Sequence, residues 1–448
     1  MKFHINTPAE ANKLIHTLQS HNHSAYVVGG CVRDSILGRE PNDWDICTSA
    51  TPEEMLQIFK NERIIETGLQ HGTVTVVING QGFEITTYRI DGTYSDNRRP
   101  DSVSFTSSLL EDLARRDFTI NAMAYNDNEG LIDPYSGLED IERKVIRCVG
   151  KASDRFNEDA LRILRALRFA CQLDFNIHPD ISWQLIYTDI ARNLKTISAE
   201  RINNEFVKIV KTKQFPQRLV WNYNIFVLII PELYPMIGFN QKNPWHIYDV
   251  FCHTVHAIDN CDSDDIITRL VVFFHDFGKP FSYQDEDDGV RHFKEHAKHS
   301  AEVTDFIMKR LRFDNDTREK VVELVHYHDA TFEVGNKYVK RWLNKIGEEQ
   351  FRRLLEVKIA DCKAQNLDLS EETLTKIYKI KEILEEVLLE ESCFSLKALS
   401  VKGHDLIDIG YKPGRALGAA LQRLLDCVIA DEVENNKEDL LTLAKGWL

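Results

Sequence analysis

Strand-forming sequence is confined to the first third of this 448-residue chain. Two alternating runs rich in β-branched residues, 72–78 and 82–90, are joined through Asn79-Gly80, a combination typical of a β-hairpin. From residue 155 onward nearly every segment carries its apolar residues at helical spacing. The chain therefore has strands for one small, largely antiparallel sheet. We predict an α+β fold, with a small mixed-sheet domain followed by helical domains.

Changes in composition divide the chain further, and its length allows two to four domains. Proline and glycine punctuate residues 231–244, and a lysine- and glutamate-rich stretch, typical of a solvent-exposed helix, follows Ser370. The predicted domains are a mixed-sheet head over residues 1–150, a helical neck over 151–235, a helical domain over 236–370 and a helical tail over 371–448.

Composition excludes several classes of protein. No stretch approaches 18 uninterrupted apolar residues, so neither a membrane span nor a membrane partner is expected. The nine cysteines are scattered without C-x-x-C spacing, which suits reduced thiols in the cytoplasm. A net charge of −15 argues against non-specific nucleic-acid binding by the whole surface, although arginines cluster at residues 115–116 and 162–168 and can line a local groove.

The most specific local pattern is YVVGGCVRDSILGREPNDWDICT, residues 26–48. Gly29 and Gly30 end an apolar strand, where backbone N–H groups can approach a triphosphate. Arg33, on the short helix that follows, can add charge-assisted bonds to phosphate oxygens. DWDIC is expected to be a strand with Asp43 and Asp45 on one face, and paired carboxylates suit Mg²⁺ ions and in-line phosphoryl displacement.

A second polar block, LARRDFTINAMAY, spans residues 113–125. Arg115 and Arg116 offer cations to phosphate groups, and Asp117 and Asn121 offer hydrogen-bonding groups to a ribose hydroxyl. Glu84, on a strand expected to neighbour DWDIC, is a candidate third acidic group.

In their order along the chain, these blocks resemble the signature of the nucleotidyltransferase branch that contains bacterial CCA-adding enzymes and poly(A) polymerases. The resemblance implies a nucleotidyltransferase head in which Asp43 and Asp45 are catalytic and hold Mg²⁺. It also implies tRNA as the partner and CTP and ATP as the nucleotides. The nucleotide-binding residues that it implies in the head are Gly29, Gly30, Arg33, Arg116, Asp117 and Asn121.

The stretch NEDALRILRALRFACQLDF, residues 157–175, is expected to form one helix. Its apolar stripe consists of Ala160, Leu164, Leu167 and Cys171. Asp159 and Arg162 lie off that stripe, where a carboxylate and a guanidinium can together match the Watson–Crick edge of a base. In the family, the E-D-x-x-R motif selects CTP and ATP without a template, which assigns base selection to Asp159 and Arg162. Arg165 joins them as a nucleotide-binding residue, with Glu158 in support.

A later block, SAERINNEFVKI, residues 198–209, also fits the family. There Glu200, Arg201 and Glu205 are expected to brace the neck.

An ordered series of histidines and aspartates occupies residues 246–365: HIYDVFCHT, VVFFHDFGK, FKEHAKHSAE, LVHYHD and KIADCKAQN. It resembles the HD metal-dependent phosphohydrolase signature. The expected ligands are His253, His275, Asp276, His296, His328 and Asp361. Imidazole with carboxylate suits a divalent transition metal and admits Mg²⁺. In the family, such a module can act on 2′,3′-cyclic or terminal phosphates of RNA; the alternative is an HD fold kept for packing after its activity was lost.

The segment VKGHDLIDIGYKPGRALGAALQRLL, residues 401–425, contains a G-x-K-P-G turn that opens a helix. It resembles the family's tail segment that contacts tRNA, which implies RNA-binding roles for Lys412, Gly414 and Arg415. The alternative is a capped helix with no RNA contact.

Several functions remain open after these comparisons of motifs. An A-adding tRNA nucleotidyltransferase and a poly(A) polymerase share the same blocks. A CC-adding enzyme is disfavoured because the loop at residues 87–114 has full length, whereas a shortened loop accompanies CC-only addition in the family. An HD phosphohydrolase with an RNA-binding head would be expected to lack Asp43, Asp45 or Arg162. A non-catalytic tRNA-binding protein would be expected to lack metal ligands. All these residues are present, so neither alternative is favoured.

Overall fold

A computed structural model of the protein describes residues 4–66, 68–92, 102–287, 289–390 and 393–448. The chain divides into two compact units, Met1–Ile229 and Ile230–Leu448. Within the described residues, no helix has the length and apolar character that crossing a membrane requires.

The first unit begins with a sheet domain, as the sequence predicts. Its strands are β1 (Ala25–Val28), β2 (Ile46–Thr48), β3 (Arg63–Ile65), β4 (Thr73–Ile78), β5 (Gln81–Thr87), β6 (Arg89–Asp91), β7 (Val103–Phe105), β8 (Ala124–Asn126) and β9 (Gly130–Ile132). Its helices are α1 (Ala9–Ser20), α2 (Gly30–Ile36), α3 (Pro52–Ile58), α4 (Leu109–Ala114) and α5 (Gly137–Glu142).

Seven of these strands form one mixed sheet in the order β3-β4-β5-β2-β1-β8-β9, and β6 pairs separately with β7. Only the β2–β5 contact within the seven-stranded sheet is parallel, with Ile46 opposite Ile85. The predicted small, largely antiparallel sheet is thus confirmed. Strand β1 is buried along its whole length, which places β2 and the turn after β1 at the centre of the domain.

Local sequence explains two features of the sheet domain, the turn between β4 and β5 and the start of α3. Asn79 and Gly80, both with positive φ (52° and 83°), form the two-residue turn between β4 and β5 that the N-G pair predicts. Thr51 caps α3 by accepting a hydrogen bond from the Glu54 N–H, and the Glu54 carboxylate accepts one from the Thr51 N–H. This reciprocal capping box fixes the start of α3.

One predicted strand is shorter than expected. DWDIC was assigned as a strand, but β2 begins only at Ile46, so that Asp43 and Asp45 precede it. The Val28 N–H still donates to the Asp45 carbonyl (3.0 Å), whereas Asp43 lies beyond the ladder. The alternation of faces survives this correction, because Trp44 and Ile46 are buried while Asp43 and Asp45 are exposed.

The remainder of the first unit, the neck, is helical apart from one short parallel pair of strands. Its helices are α6 (Ala152–Glu158), α7 (Leu161–Leu173), α8 (Pro179–Tyr187), α9 (Ala199–Val210), α10 (Phe215–Trp221) and α11 (Tyr223–Ile229), and the strands are β10 (Val145–Ile146) and β11 (Asn176–Ile177). A 3₁₀ segment, Asp189–Thr196, connects α8 to α9 and packs against both α8 and α11.

The single helix expected over residues 157–175 is two helices, and that expectation is wrong at Asp159. Asp159 has extended dihedrals (φ −140°, ψ 104°), and its carboxylate accepts a hydrogen bond from the Leu161 N–H at 3.0 Å. An aspartate offers the backbone this alternative to helical pairing, so the break falls there. The apolar stripe that begins at Ala160 and includes Leu164 is nevertheless fully buried.

The second unit is helical. Its helices are α12 (Val250–Asp259), α13 (Ile266–Phe274), α14 (His296–Arg310), α15 (Asn315–Tyr327), α16 (Asn336–Lys363), α17 (Leu367–Leu389), α18 (Gly403–Asp408), α19 (Arg415–Ile429) and α20 (Lys437–Lys445), with a small hairpin of β12 (Gln284–Asp285) and β13 (Arg291–His292). Helix α13 is almost entirely buried and packs against α12, α15 and α16. The final three helices form a separate cluster around Leu424 and Leu440.

The buried stripe of α7 gives a direct test of this packing. Leu164→Ala removes a side chain with no exposed surface and should lower the free energy of unfolding by about 2–5 kcal/mol, because the cavity cannot fully collapse. Leu164→Met conserves volume and should cost less than about 1.5 kcal/mol. Chemical denaturation followed by circular dichroism measures both. Equal losses in the two variants would contradict a tightly packed α7.

Candidate active site and candidate metal centre

Two carboxylates stand at the open start of β2. Asp43 and Asp45 are exposed on the same face of the chain, and the intervening Trp44 is only 8% exposed. Their side chains therefore lie on the solvent side of the sheet, where neighbouring groups still partly enclose Asp45, while Trp44 packs beneath them. The structure thus brings together the pair that the sequence singles out.

Glu84 lies beside this pair. Because Ile46 is paired with Ile85 in parallel register, the preceding residues Asp45 and Glu84 are neighbours on the exposed face. The pKa of Asp45 is raised, first by desolvation and then by the negative charge of Glu84, and the Arg116 guanidinium opposes this rise only in part. Three neighbouring carboxylates, of which Asp45 has a raised pKa, are a donor set whose mutual repulsion a divalent cation relieves.

The turn after β1 requires glycine for two reasons. Gly29 has φ +83°, and a Cβ there would lie 3.0 Å from Nη1 of Arg116. Arg116 is held in place by Asp112, whose carboxylate accepts from it at 3.3 Å and from Arg115 at 2.6 Å. A cation therefore lies directly over the glycine turn that opens α2.

A buried carboxylate connects this turn to the neck. Asp117 accepts two hydrogen bonds from Arg165 (2.8 and 2.5 Å) and one from the Asn121 amide (3.2 Å). Asn121 in turn accepts from Nη1 of Arg33 at 2.6 Å. Burial acts to raise the pKa of Asp117, but Arg165 and Arg162 outweigh it and lower this pKa to about 2.

Arg33 is more enclosed than the sequence suggests. It is 8% exposed, and its remaining guanidinium nitrogens donate to the adjacent Asp34 at 2.9 Å each. In this arrangement Arg33 orients Asn121 from beneath the turn.

The neck supplies a polar pocket of about 330 Å³. It is lined by Arg115, Arg116, Asp117, Asp159, Leu161, Arg162, Arg165 and Arg201. Arg162 donates hydrogen bonds to Glu158 (2.5 Å) and to the Arg115 carbonyl (3.0 Å). Arg201 donates to both carboxylate oxygens of Asp159 (2.7 and 3.3 Å). All three predicted nucleotide-binding residues of the neck, including Arg165, therefore lie in one cavity with the second block of the head.

The neck residues expected to act as braces divide into two pairs. Arg201 holds Asp159, and Glu205 pairs with Arg168 at 2.6 Å. The sequence indicates these residues only as packing braces. The structure shows that Arg201 belongs to the pocket wall itself.

In the second unit, four histidines are oriented in the same way. Each ring places Nδ1 next to a backbone carbonyl: His253 to Ala364 (3.3 Å), His275 to Val272 (2.7 Å), His296 to Phe293 (2.8 Å) and His328 to Val325 (2.7 Å). A carbonyl only accepts, so Nδ1 carries a proton, and in the neutral ring Nε2 keeps its lone pair. This is the outer-sphere arrangement that metal-ligating histidines use.

The four Nε2 atoms converge on Asp276. Its Oδ2 lies 3.2 Å from His275 and 3.5 Å from His253, and its Oδ1 lies 3.7 Å from His296 and 3.8 Å from His328. Both carboxylate oxygens are buried without a hydrogen-bond partner among the described residues. Two groups of three ligand atoms, sharing Asp276, are each compact enough to hold a metal ion.

Asp361 and one lysine complete the centre. Asp361 lies 3.0 Å from Nε2 of His253 and 3.9 Å from that of His275, so all six predicted ligands meet. Lys279, which the sequence analysis does not single out, places Nζ 2.8 Å from Asp276 and donates to Gln241 at 2.9 Å. The sequence feature that could have identified Lys279 is its spacing, three residues after Asp276 and four after His275.

The pKa values of His296, His328 and Asp276 in this centre are shifted in directions that favour the binding of cations. Burial, reinforced by neighbouring histidines, lowers the pKa of His328 well below its usual value, and burial with Lys279 lowers that of His296. Burial alone would raise the pKa of Asp276, but His275 and Lys279 keep it well below the usual range. Burial acts to lower the pKa of His275, but Asp276 outweighs it and raises this pKa. Neutral imidazoles of His296 and His328 beside an ionised carboxylate are the protonation state that metal binding requires.

Two other predicted features stand apart from these sites. Lys412, Gly414 and Arg415 are exposed at the start of α19, where Gly414 (φ 134°) precedes the helix. Of the loop at residues 87–114, residues 93–101 lie outside the described part of the chain.

Comparison with known proteins identifies the family. A CCA-adding enzyme of Leuconostoc mesenteroides is 34% identical over 98% of this chain and 96% of its own length, and one of Streptococcus thermophilus is 31% identical over 98% of each. This chain belongs to the CCA-adding enzymes. It is therefore a divalent-metal-dependent nucleotidyltransferase.

Family profiles and solved structures agree with this membership. Residues 25–147 match the poly A polymerase head domain, residues 174–236 the "Probable RNA and SrmB- binding site of polymerase A", and residues 281–444 a second domain of tRNA nucleotidyltransferases. The crystal structure of the Bacillus stearothermophilus CCA-adding enzyme in complex with CTP is similar, with a TM-score of 0.68 and 27% identity over 98% of this chain and 96% of that chain. The fold predicted from the sequence, a mixed-sheet head followed by helices, is confirmed.

The low pKa of Asp117 predicts a defined pH dependence. An ionised carboxylate stabilised in the folded state contributes stability above its unfolded pKa of about 3.9, and this contribution is lost as pH falls through about 2. Asp117→Asn should therefore cost about 2 kcal/mol at pH 7, and the difference from wild type should shrink to roughly half by pH 3. Denaturant titrations at both pH values measure it, with the exposed Asp189→Asn as control. A loss that is the same at both pH values would contradict the buried ion pair.

Proposed function

We propose that this protein adds or repairs the 3′-terminal CCA of tRNA, using CTP and ATP, with Asp43 and Asp45 as its catalytic residues. The observation that carries the proposal is the carboxylate pair at the start of β2, beside a glycine turn and facing the same sheet surface as Glu84. Solved relatives include a CCA-adding enzyme in complex with CTP, one with ATP and one with tRNA. These names support the choice of substrates.

The chemistry is an in-line nucleotidyl transfer. A bond forms between the 3′ oxygen of the tRNA and the α-phosphorus of the nucleotide, the bond from that phosphorus to the bridging oxygen breaks, and pyrophosphate and the 3′-hydroxyl proton leave. Asp43 and Asp45 would hold Mg²⁺, which when bound lowers the pKa of the attacking hydroxyl and neutralises the leaving group. Arg116, over the Gly29 turn, positions the triphosphate.

Base selection falls to the neck pocket. Cytosine and adenine share one pattern on their pairing edge, an exocyclic amine that donates beside a ring nitrogen that accepts. Asp159 can accept from the amine and Arg162 can donate to the ring nitrogen, whereas uracil and guanine present the reverse pattern. Arg201 holds Asp159 by two hydrogen bonds, and Glu158 holds Arg162, so both groups are fixed before a nucleotide enters.

Sugar and phosphate recognition completes the nucleotide site. Asp117 and Asn121, linked to each other and anchored by Arg165, offer hydrogen-bonding groups to the ribose. Lys412, Gly414 and Arg415, at the exposed start of α19, would contact the tRNA backbone. Nine free cysteines and the tRNA substrate support a cytoplasmic location.

The test uses three tRNA transcripts that end before CCA, after C and after CC. Incubated with Mg²⁺, CTP and ATP, all three should grow to CCA and stop there. Asp43→Ala should abolish extension, while Asp189→Ala, at an exposed neck aspartate, should retain it. Products are read at nucleotide resolution. Extension of the CC-ended transcript alone would make this an A-adding enzyme, and long A-tails a poly(A) polymerase; either outcome contradicts the proposal.

A second activity is favoured by the candidate metal centre of the second unit. We propose that this centre binds one or two divalent ions, Mn²⁺, Ni²⁺, Fe²⁺, Co²⁺, Zn²⁺ or Mg²⁺, and hydrolyses 2′,3′-cyclic or terminal RNA phosphates. The support is Asp276, buried among four histidines whose Nδ1 atoms are already fixed and close enough to them to share two groups of ligand atoms. Lys279 forms an ion pair with its Oδ2, whereas Oδ1 is buried without a hydrogen-bond partner among the described residues, which a fold kept only for packing would not require.

Metal analysis separates this activity from the first. His275→Ala and Asp276→Ala should reduce the metal content of purified protein, measured by mass spectrometry, by at least half and abolish hydrolysis of 2′,3′-cyclic AMP. The exposed His404→Ala should change neither. Extension of tRNA should persist in all three variants, because the head carboxylates are unaltered. Equal metal content in all three would refute the metal centre while leaving the nucleotidyltransferase untouched.

A further inference from the structure

Helix α8 of the neck is apolar on both of its faces. Ile181 and Leu185 are buried, at 1% and 5% exposure, and pack inward. On the opposite side, Trp183, Ile186 and Tyr187 are 57%, 60% and 67% exposed, at the i, i+3, i+4 spacing of one helical face. Three large apolar side chains together on one outward helical face form an exposed patch that is typical of a surface for a partner.

A second set of exposed aromatic residues adjoins this face. Trp221 and Tyr223, at the junction of α10 and α11, are 56% and 43% exposed. The next residue, Asn224, donates from its amide to the Leu185 carbonyl of α8 at 3.3 Å, which ties the two sets together. We call the surface formed by Trp183, Ile186, Tyr187, Trp221 and Tyr223 the neck aromatic surface.

The rings of this surface are arranged for stacking. Trp183 and Tyr187 lie with centroids 4.4 Å apart at 35°, so the two rings stack on each other and leave their outer faces for a further ring. The Arg218 guanidinium lies 5.0 Å from the Trp221 ring, which fixes that ring by a cation–π contact. Rigid aromatic faces next to a cation form the platform on which unpaired bases stack, and base–aromatic stacking tolerates any sequence.

The local charge favours a polyanion. The whole chain carries −15, yet residues 176–230 contain seven lysine or arginine residues and only four aspartate or glutamate residues. Arg192, Lys195, Lys211 and Lys213 are exposed. Arg192 and Lys195 belong to the 3₁₀ segment that packs against both α8 and α11, so cations border the aromatic rings. In a symmetric pair of copies these cations would face one another and repel, whereas a phosphate backbone is attracted to them.

We propose that the neck aromatic surface binds unpaired nucleotides of RNA, with bases stacked on Trp183, Tyr187 and Trp221 and phosphates near Arg192 and Lys195. This contact goes beyond the proposed catalytic and base-selecting residues and uses none of them. The family profile over residues 174–236 names an RNA- and SrmB-binding region without residues or a mode of contact. The exposed rings of the neck aromatic surface supply the residues and the mode of contact.

Binding without catalysis provides the test. A fluorescent single-stranded RNA 12-mer and the same RNA annealed to its complement are titrated with the full-length protein in EDTA, and anisotropy gives each Kd. Trp183→Ala and Trp221→Ala should each raise the Kd for the single strand at least about fivefold and change that for the duplex less than twofold. Trp183→Phe should stay within about threefold of wild type. Because EDTA removes Mg²⁺, the result is independent of whether the head extends tRNA.

Matched variants separate stacking from charge and from folding. Trp245→Ala removes an exposed tryptophan of the second unit (44% exposed) and should leave both affinities unchanged. Arg192→Gln should reduce the slope of log Kd against log salt by about 0.7, whereas Trp183→Ala should not alter it. Thermal melting should show all variants folded, because the replaced side chains point outward.

Three outcomes would overturn the inference. If Trp183→Ala and Trp221→Ala leave the affinity for single-stranded RNA unchanged, RNA does not bind to this surface. Loss of self-association in sedimentation, with RNA affinity intact, would make the surface an interface between two copies. Loss of binding to an RNA helicase of the SrmB type, again with RNA affinity intact, would make it a protein-docking surface.

Discussion

The buried carboxylate of Asp117 holds the catalytic half of this protein together. A charge withdrawn from water must be paired, and Asp117 is paired by Arg165 of α7 while its other oxygen accepts from Asn121. Asn121 then accepts from Arg33, on the helix that follows the glycine turn. One chain of hydrogen bonds therefore joins the helix of the base pocket to the turn beside the carboxylate pair. The distance between the neck pocket and the carboxylate pair depends on this chain of hydrogen bonds.

The second unit repeats the same physical principle with a different outcome. Asp276 is also a buried carboxylate, but Lys279 is its one permanent cation and both of its oxygens lack a hydrogen-bond partner among the described residues. Four histidines surround it with their Nε2 atoms directed inward. Where the Asp117 network is complete as it stands, the Asp276 cluster has the composition of a site for a metal ion. Burial of a carboxylate thus stabilises structure in one unit and leaves a candidate metal centre in the other.

Comparison of particular residues shows what local patterns can predict. Asp43 and Asp45 fall on one face because alternation depends only on extended backbone, and this held even though β2 begins three residues later than expected. Asp159 shows the opposite case. Helical spacing predicts one continuous helix, but the carboxylate caps the next helix and pairs with Arg201, 42 residues away. Spacing rules apply within a single helix or strand. They fail where a contact with a residue far away in the sequence changes the backbone.

The sequence alone predicted the mixed-sheet head followed by helices, and it singled out the paired carboxylates, the candidate base-pocket residues and the six candidate ligands of the second centre. These are properties of periodicity and of motifs in order, which each segment carries by itself. Only the tertiary structure decided that Glu84 is a neighbour of Asp45, that Arg33 supports Asn121, that Lys279 contacts Asp276 and that the neck exposes an aromatic surface. Strand register, burial and helix packing bring together residues far apart in the chain, and no local pattern encodes which of them will meet.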